Sequence, residues 1–159
     1  MPADSEPAAA VPGLPHTWRP FGVRLVGVVA GLGLLAVCVG AWVALGDEIR
    51  SRFTPFQKST LVMLGLLGAA VWYALLRSRL SATDDDVAVV NGFRARHYDW
   101  AQVVALRLRR GAPWAEMDLS DGTTIPVMAI QGSDGDRART AVREFRRVLA
   151  ARTRTDRND

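Results

Sequence analysis

Few residues in this chain have the types and spacing that chemistry needs, and each such set is incomplete. His97 stands two positions from Asp99, as a general base and its orienting carboxylate would, yet no nucleophile or oxyanion arrangement accompanies them. Asp84, Asp85 and Asp86 would attract a divalent cation, although adjacent carboxylates in a linker are ordinarily just hydrated. His16 and His97 are the only histidines and Cys38 the only cysteine, so a histidine-based metal site would need carboxylates to finish it. No intrachain disulfide can form. What remains is phosphate recognition. Arg94-Ala95-Arg96-His97 follows a turn, and a guanidinium fork bonds two phosphate oxygens at once. Arg139, Arg143, Arg146 and Arg147 cluster on one side of a C-terminal helix, where each would gain about 1 kcal/mol near anionic lipid. A solvated strand face and a solvated helix face account for the same residues. No catalytic residue, metal ligand or cofactor site is assigned.

The elements that must position these residues are organised around two uncharged apolar segments, 25–45 and 59–76. As helices at about 1.5 Å per residue they would extend roughly 31 and 27 Å, against a hydrocarbon core of about 30 Å. The chain therefore divides into a tail rich in Ala and Pro (1–17), a transmembrane hairpin (18–79), a folded domain (80–152) and a second tail (153–159). Formal net charge is +4, but from residue 77 onward 15 Arg face 12 acids, and Lys58 is the only lysine. Scattered basic residues without interleaved exposed aromatics argue against a nucleic-acid partner. Trp18, Phe21, Trp42, Trp72 and Tyr73 flank the spans, where aromatics settle at membrane interfaces. Arg19, Arg24, Arg77, Arg79, Arg94 and Arg96 lie on one side against Arg50, Arg52 and Lys58 on the other, which places both termini in the cytoplasm. In the first span Gly27 and Gly31 share one face, and Gly33, Ala36 and Gly40 the opposite one. The second span offers Gly65, Gly68 and Ala69. Small residues let backbones approach in lipid, so one face would take the second helix and the other a neighbouring copy.

From residue 80 the period changes to short strands. Val87-Ala88-Val89-Val90 meets Asn91-Gly92, a strong hairpin signal. A two-residue loop there would put Arg94 and Arg96 on the valine face; a three-residue loop would keep Val87, Val89 and Ala95 together and send both arginines outward, and it is the expected one because it keeps charge off the core. Asp99-Trp100-Ala101-Gln102 reads as a capped helical turn. A four-residue loop, Arg110-Gly111-Ala112-Pro113, would set Leu108 against Ala115, Leu106 against Met117 and Val104 against Leu119, with Arg107 against Glu116 outside. Asp121-Gly122 turns into a strand that Pro126 marks as an edge or a bulge. From Ser133-Asp134 to about Arg152 runs an amphipathic helix with the stripe Ala138, Ala141, Val142, Phe145, Val148 and Leu149.

The expected fold is α+β: a two-helix transmembrane hairpin, then a small β-meander or partial barrel closed by a C-terminal helix. The Asn91-Gly92 turn, Trp100, the Trp114-Ala115 strand start and the Asp121-Gly122 turn carry a resemblance. Over about residues 15–152 the chain resembles bacterial pleckstrin-homology-like (PH-like) membrane proteins of the actinobacterial low molecular weight protein antigen 6 type. The resemblance implies a PH-like fold and a membrane anchor. The functional expectation is a non-enzymatic integral membrane protein whose cytoplasmic domain binds a protein partner or a second copy, without cofactor or small-molecule substrate. The alternative is a sensor of anionic lipid that uses its basic strand and helix faces.

Overall fold

The computed structural model describes residues 12–155. Strand β1 (His16–Trp18) leads into helix α1 (Phe21–Ala44), short helix α2 (Gly46–Arg52) and helix α3 (Pro55–Arg77). Strands β2 (Arg79–Ala82), β3 (Asp86–Asn91) and β4 (Arg94–Asp99) complete a first antiparallel sheet in the order β1-β2-β3-β4. Strands β5 (Val103–Arg107), β6 (Trp114–Leu119) and β7 (Thr124–Gln131) form a second, and helix α4 (Asp136–Thr155) closes the domain. The α+β architecture of hairpin, meander and closing helix is the one expected.

The domain does not begin after the hairpin. Trp18 pairs with Leu80 and His16 with Ala82, so β1 belongs to the sheet although α1, α2 and α3 separate it from β2. The hairpin is thus an insertion between two neighbouring strands. Trp18 is buried, edge-on to Phe145 at 5.6 Å, and its indole N–H donates to Glu144 at 2.9 Å. It is a core residue rather than an interface aromatic, and the tail expected to reach residue 17 gives way to strand at His16. At the other end α4 continues through Thr155, past the expected boundary at 153. Residues 1–11 and 156–159 of the two expected tails lie outside the described residues.

Both α1 and α3 are long and apolar enough to cross a membrane, and neither buries a residue in the domain. Thr54 and Gln57 form a capping box at the start of α3, with Pro55 in the first turn, where its missing N–H costs nothing. Helix α1 follows Pro20 and has no capping side chain of its own. The loop between the spans contains a helical turn, α2, braced by Asp47–Arg50 and Glu48–Arg52 pairs.

In the β5–β6 hairpin Leu106 opposes Met117 and Arg107 opposes Glu116, as the two-faced pattern predicts. A bulge between Val103 and Ala105 then turns Val103 into the core and leaves Val104 outside, so Leu119 pairs with Val103. The β3–β4 hairpin does not take the preferred three-residue loop. Its loop has two residues, Gly92 (φ 60°) and Phe93, one position later than Asn91-Gly92, so Asn91 pairs with Arg94 and Val89 with Arg96, and both arginines fall on the valine side of the sheet, at its exposed edge. Asn91 is held in the strand because its amide bridges to β7, donating to Pro126 O at 2.6 Å and accepting from Met128 N at 3.0 Å. Pro126 is on β7, which pairs only with β6 and carries a register shift, an edge position that a proline tolerates. Asp99 and Gln102 cap the 3-10 turn Trp100–Gln102, and Trp100 stacks on Phe145 at 6.0 Å. The expected stripe of α4 supplies Ala138, Val142, Phe145, Val148 and Leu149 to the core, with Ala141 at its margin.

Candidate functional site

One hydrogen-bonded clamp joins the hairpin to the domain, and a second ties its two long helices together at the same end. The Asp134 carboxylate, in the turn before α4, accepts from the N–H groups of Phe21 at 3.1 Å and Gly22 at 2.9 Å. These are first-turn donors of α1, which has no cap of its own, and a carboxylate there also meets the positive end of the helix dipole. Arg24 donates through Nε and Nη2 to Leu76 O at 3.1 and 2.9 Å, satisfying a last-turn carbonyl of α3. Arg137 lies 4.1 Å over the Phe21 ring, a cation–π contact at the same junction. The domain is therefore held against the start of α1, and Arg24 fastens the end of α3 to that same helix.

The small residues of the spans divide by position. Trp72 of α3 donates its indole N–H to Gly27 O at 2.9 Å, and a Cβ on Gly31 would fall 2.7 Å from the Trp72 ring. The Gly27–Gly31 face takes the second helix through a tryptophan, not through Gly65, Gly68 and Ala69. Nothing lies within 4 Å of a Cβ built at Gly33, Gly40, Gly65 or Gly68, and Ala36 and Ala69 are exposed.

The basic residues are not one patch. Arg94 and Arg96 are exposed on β4, whose only partner strand is β3, and their side chains make no hydrogen bond or ion pair with other described residues. On α4, Arg139 pairs with Asp136 at 3.0 Å and Arg143 donates to Thr140 at 2.9 Å. Arg146 donates through Nε to Leu106 O at 2.8 Å, so it ties the helix to β5, and Arg147 is half-buried. Helix α4 starts at the hairpin junction, beside Asp134 and Phe21, and ends where Arg152 pairs with Asp84 in the β2–β3 turn. That turn is at the far end of β3 from Asn91, about 17 Å away at 3.3 Å per strand residue. The helix thus leads away from the hairpin. Arg147 lies up to about 15 Å farther along it than Arg137, beyond a Debye length of about 8 Å at physiological salt. Arg94 lies beside the hairpin end of the sheet, next to the Gly92 turn that meets Ala74 of α3.

The acid–base candidates also separate. His97 Nδ1 is 2.5 Å from Asp86 Oδ2, while Asp99 is engaged in capping. The hydrogen bond from His97, reinforced by Thr83 at 2.7 Å, holds the Asp86 carboxyl below the usual carboxylate range. Asp84 pairs with Arg152 instead, so the three consecutive carboxylates do not converge. Beside α1 an open cleft of about 450 Å³ lies among Trp18, Phe21, Asp134, Arg137 and Glu144. Each of these polar groups already has the partner described above. The Asp134 and Arg24 clamps were not legible as sites, because each joins residues far apart in the chain.

Comparison with known proteins adds a family to this geometry. The bacterial PH domain family matches residues 77–148. Uncharacterised proteins of Mycobacterium tuberculosis and Mycobacterium bovis are each 33% identical over 143 residues, covering 86% of this chain and 92% of theirs. No solved structure matches.

Proposed function

This chain belongs to one family with those mycobacterial proteins and carries a bacterial PH domain, and on that premise we propose that it is a non-enzymatic, membrane-anchored interaction module. Helices α1 and α3 cross the inner membrane, and the excess of arginine at the domain end of the hairpin keeps both termini cytoplasmic. The turns at Asn91-Gly92 and Asp121-Gly122, with Trp100 and the Trp114-Ala115 strand start, support a likeness to the low molecular weight protein antigen 6 type.

One observation carries this reading. The hairpin is inserted between β1 and β2, so the domain cannot leave the membrane surface without unpairing its own sheet. What such a fixed domain offers is a surface, and β4 is its most open element: an edge strand exposed along nearly all its length. Unpaired strand edges template added strands, and Arg94, Arg96 and His97 favour an acidic partner segment while discouraging random pairing. The β5 edge is less available, since Arg146 engages Leu106 O.

A photo-crosslinking residue at Ala95, exposed on β4, tests this in the full chain in its native membrane. Discrete protein adducts, to a second copy or another protein, that disappear with Arg96→Glu support the module. Adducts to lipid alone favour the anionic-lipid sensor, with Arg94 and Arg96 as its contacts, and contradict it.

A further inference from the structure

The tip of the β3–β4 hairpin has no reason within the domain to be apolar. Among the described residues outside the helical hairpin, Phe93 at 61% is the most exposed large apolar side chain; Val104 and Trp114 follow at 56% and 36%. Its surroundings are specific. A Cβ on Gly92 would lie 3.6 Å from the Ala74 side chain, and the Gly92 N–H donates to Ser78 Oγ at 3.3 Å. The Phe93 ring is 6.5 Å from that of Tyr73, which is itself 57% exposed on α3. The turn therefore lies alongside the last two turns of α3.

Depth follows from the sequence of that helix. Its apolar run ends at Leu76, and Ala74 and Tyr73 lie two and three residues inside that end, about 3 and 4.5 Å at 1.5 Å per residue. A tip packed at this level is below the plane of Arg77. Aromatic rings concentrate where headgroups meet acyl chains, since an apolar ring gains from burial there while nearby polar groups stay wet.

We infer that the β3–β4 tip is a third membrane contact of the protein, with Phe93 buried beside Tyr73 at the headgroup–acyl boundary of the bilayer that holds α1 and α3. The inference rests on the membrane-spanning reading of those helices. Its occupant is lipid rather than protein, because the Phe93 surface is continuous with the outward face of α3. Two consequences follow for the domain. Its tilt on the membrane is set by three supports instead of two, and Arg94 is carried to headgroup height while the rest of β4 rises from the surface. Any protein partner must then use the part of β4 beyond Arg94.

The full chain carrying Cys38→Ser, reconstituted in phosphatidylcholine–phosphatidylglycerol nanodiscs, tests this with spin labels at Phe93→Cys, Tyr73→Cys and Asp85→Cys. Asp85 is exposed in the far turn of the sheet. Collisions with oxygen and with a water-soluble nickel complex read depth. The expected result is that position 93 matches position 73, with high oxygen and low nickel accessibility, and that position 85 shows the reverse. Position 93 matching position 85 while 73 stays lipid-like would overturn the inference alone. Water-like behaviour at both 93 and 73 would overturn the membrane-spanning reading with it. Because the label replaces the ring, Phe93→Asp with the label at Ala95→Cys gives a second reading. Nickel accessibility at 95 should rise when the tip is charged, and an unchanged value counts against a buried tip.

Discussion

The Asp134 carboxylate accepts hydrogen bonds from the first turn of α1, 2.9 Å from Gly22 N, across 112 positions of chain. This is a helix cap supplied from outside the helix. It explains how α1 can start at Phe21 directly after Pro20, which offers no capping oxygen in its side chain. It also means that the helix start and the domain order each other.

Asp134→Ala is expected to cost about 0.5–2 kcal/mol, the range for losing a capping side chain. Thermal unfolding of the full chain in micelles reads this loss, and proteolysis near residues 19–22 should accelerate in parallel. An unchanged midpoint with unchanged cleavage would mean that the first turn of α1 is satisfied another way. Gly22→Ala makes a steric companion, since its Cβ would fall 2.6 Å from Asp134 Oδ1.

The glycines of the spans should respond very unequally. Gly31→Ala brings a methyl group to within 3 Å of the Trp72 ring, so the ring must shift and strain its bond to Gly27 O. Hydrogen bonds between membrane helices average about 0.6 kcal/mol with a maximum near 1.7, which sets the scale of the loss. Gly33→Ala and Gly65→Ala meet open space and should leave unfolding of the isolated chain unchanged. Equal effects at Gly31 and Gly33 would sink the Trp72 packing. A selective loss of oligomer at Gly33 or Gly65 would instead reveal a second copy on that face.

Acid should weaken the β3–β4 pairing through Asp86. Its carboxyl is held low mainly by the hydrogen bond to His97 and then by Thr83. A depressed folded value contributes stability that is fully present above the unfolded value of about 3.9 and is lost as pH falls through the folded one. His97→Ala removes the largest cause. Chemical unfolding measured in steps from neutral pH downward should show the variant losing less on acidification below about pH 4 than the unsubstituted protein. Parallel curves would show that the pair does not distinguish folded from unfolded chains.

The sequence made most of the fold legible wherever a signal was local. Segment length exposed the two long apolar helices, the period of α4 exposed its buried stripe, and matching inner and outer faces registered Leu106 against Met117. What escaped was set by distant partners. Three residues, His16 to Trp18, are too few to show a strand's alternation, and Trp18 before an apolar run has the look of an interface aromatic until Glu144 and Phe145 meet it. The β3–β4 register depended on Asn91 reaching β7, which no turn rule contains. The arginines of α4 share a face by period alone, but Arg146 spends its guanidinium on Leu106 O and the helix axis leads away from the hairpin.

The account stands on β1 pairing with β2 across the inserted hairpin, and a designed disulfide tests it directly. Thr17 and Ser81 are paired residues whose hydroxyl oxygens are 3.1 Å apart, and directly opposed Cα atoms in an antiparallel pair are about 4.5–5.5 Å apart, within disulfide reach. In the full chain with Cys38→Ser, reconstituted in bilayers, Thr17→Cys and Ser81→Cys should close an intrachain disulfide under mild oxidation. Cleavage within the loop between the spans should then leave the two pieces joined until reduction. Free thiols, or links only between separate chains, would contradict an inserted hairpin and detach the N-terminal strand from the domain.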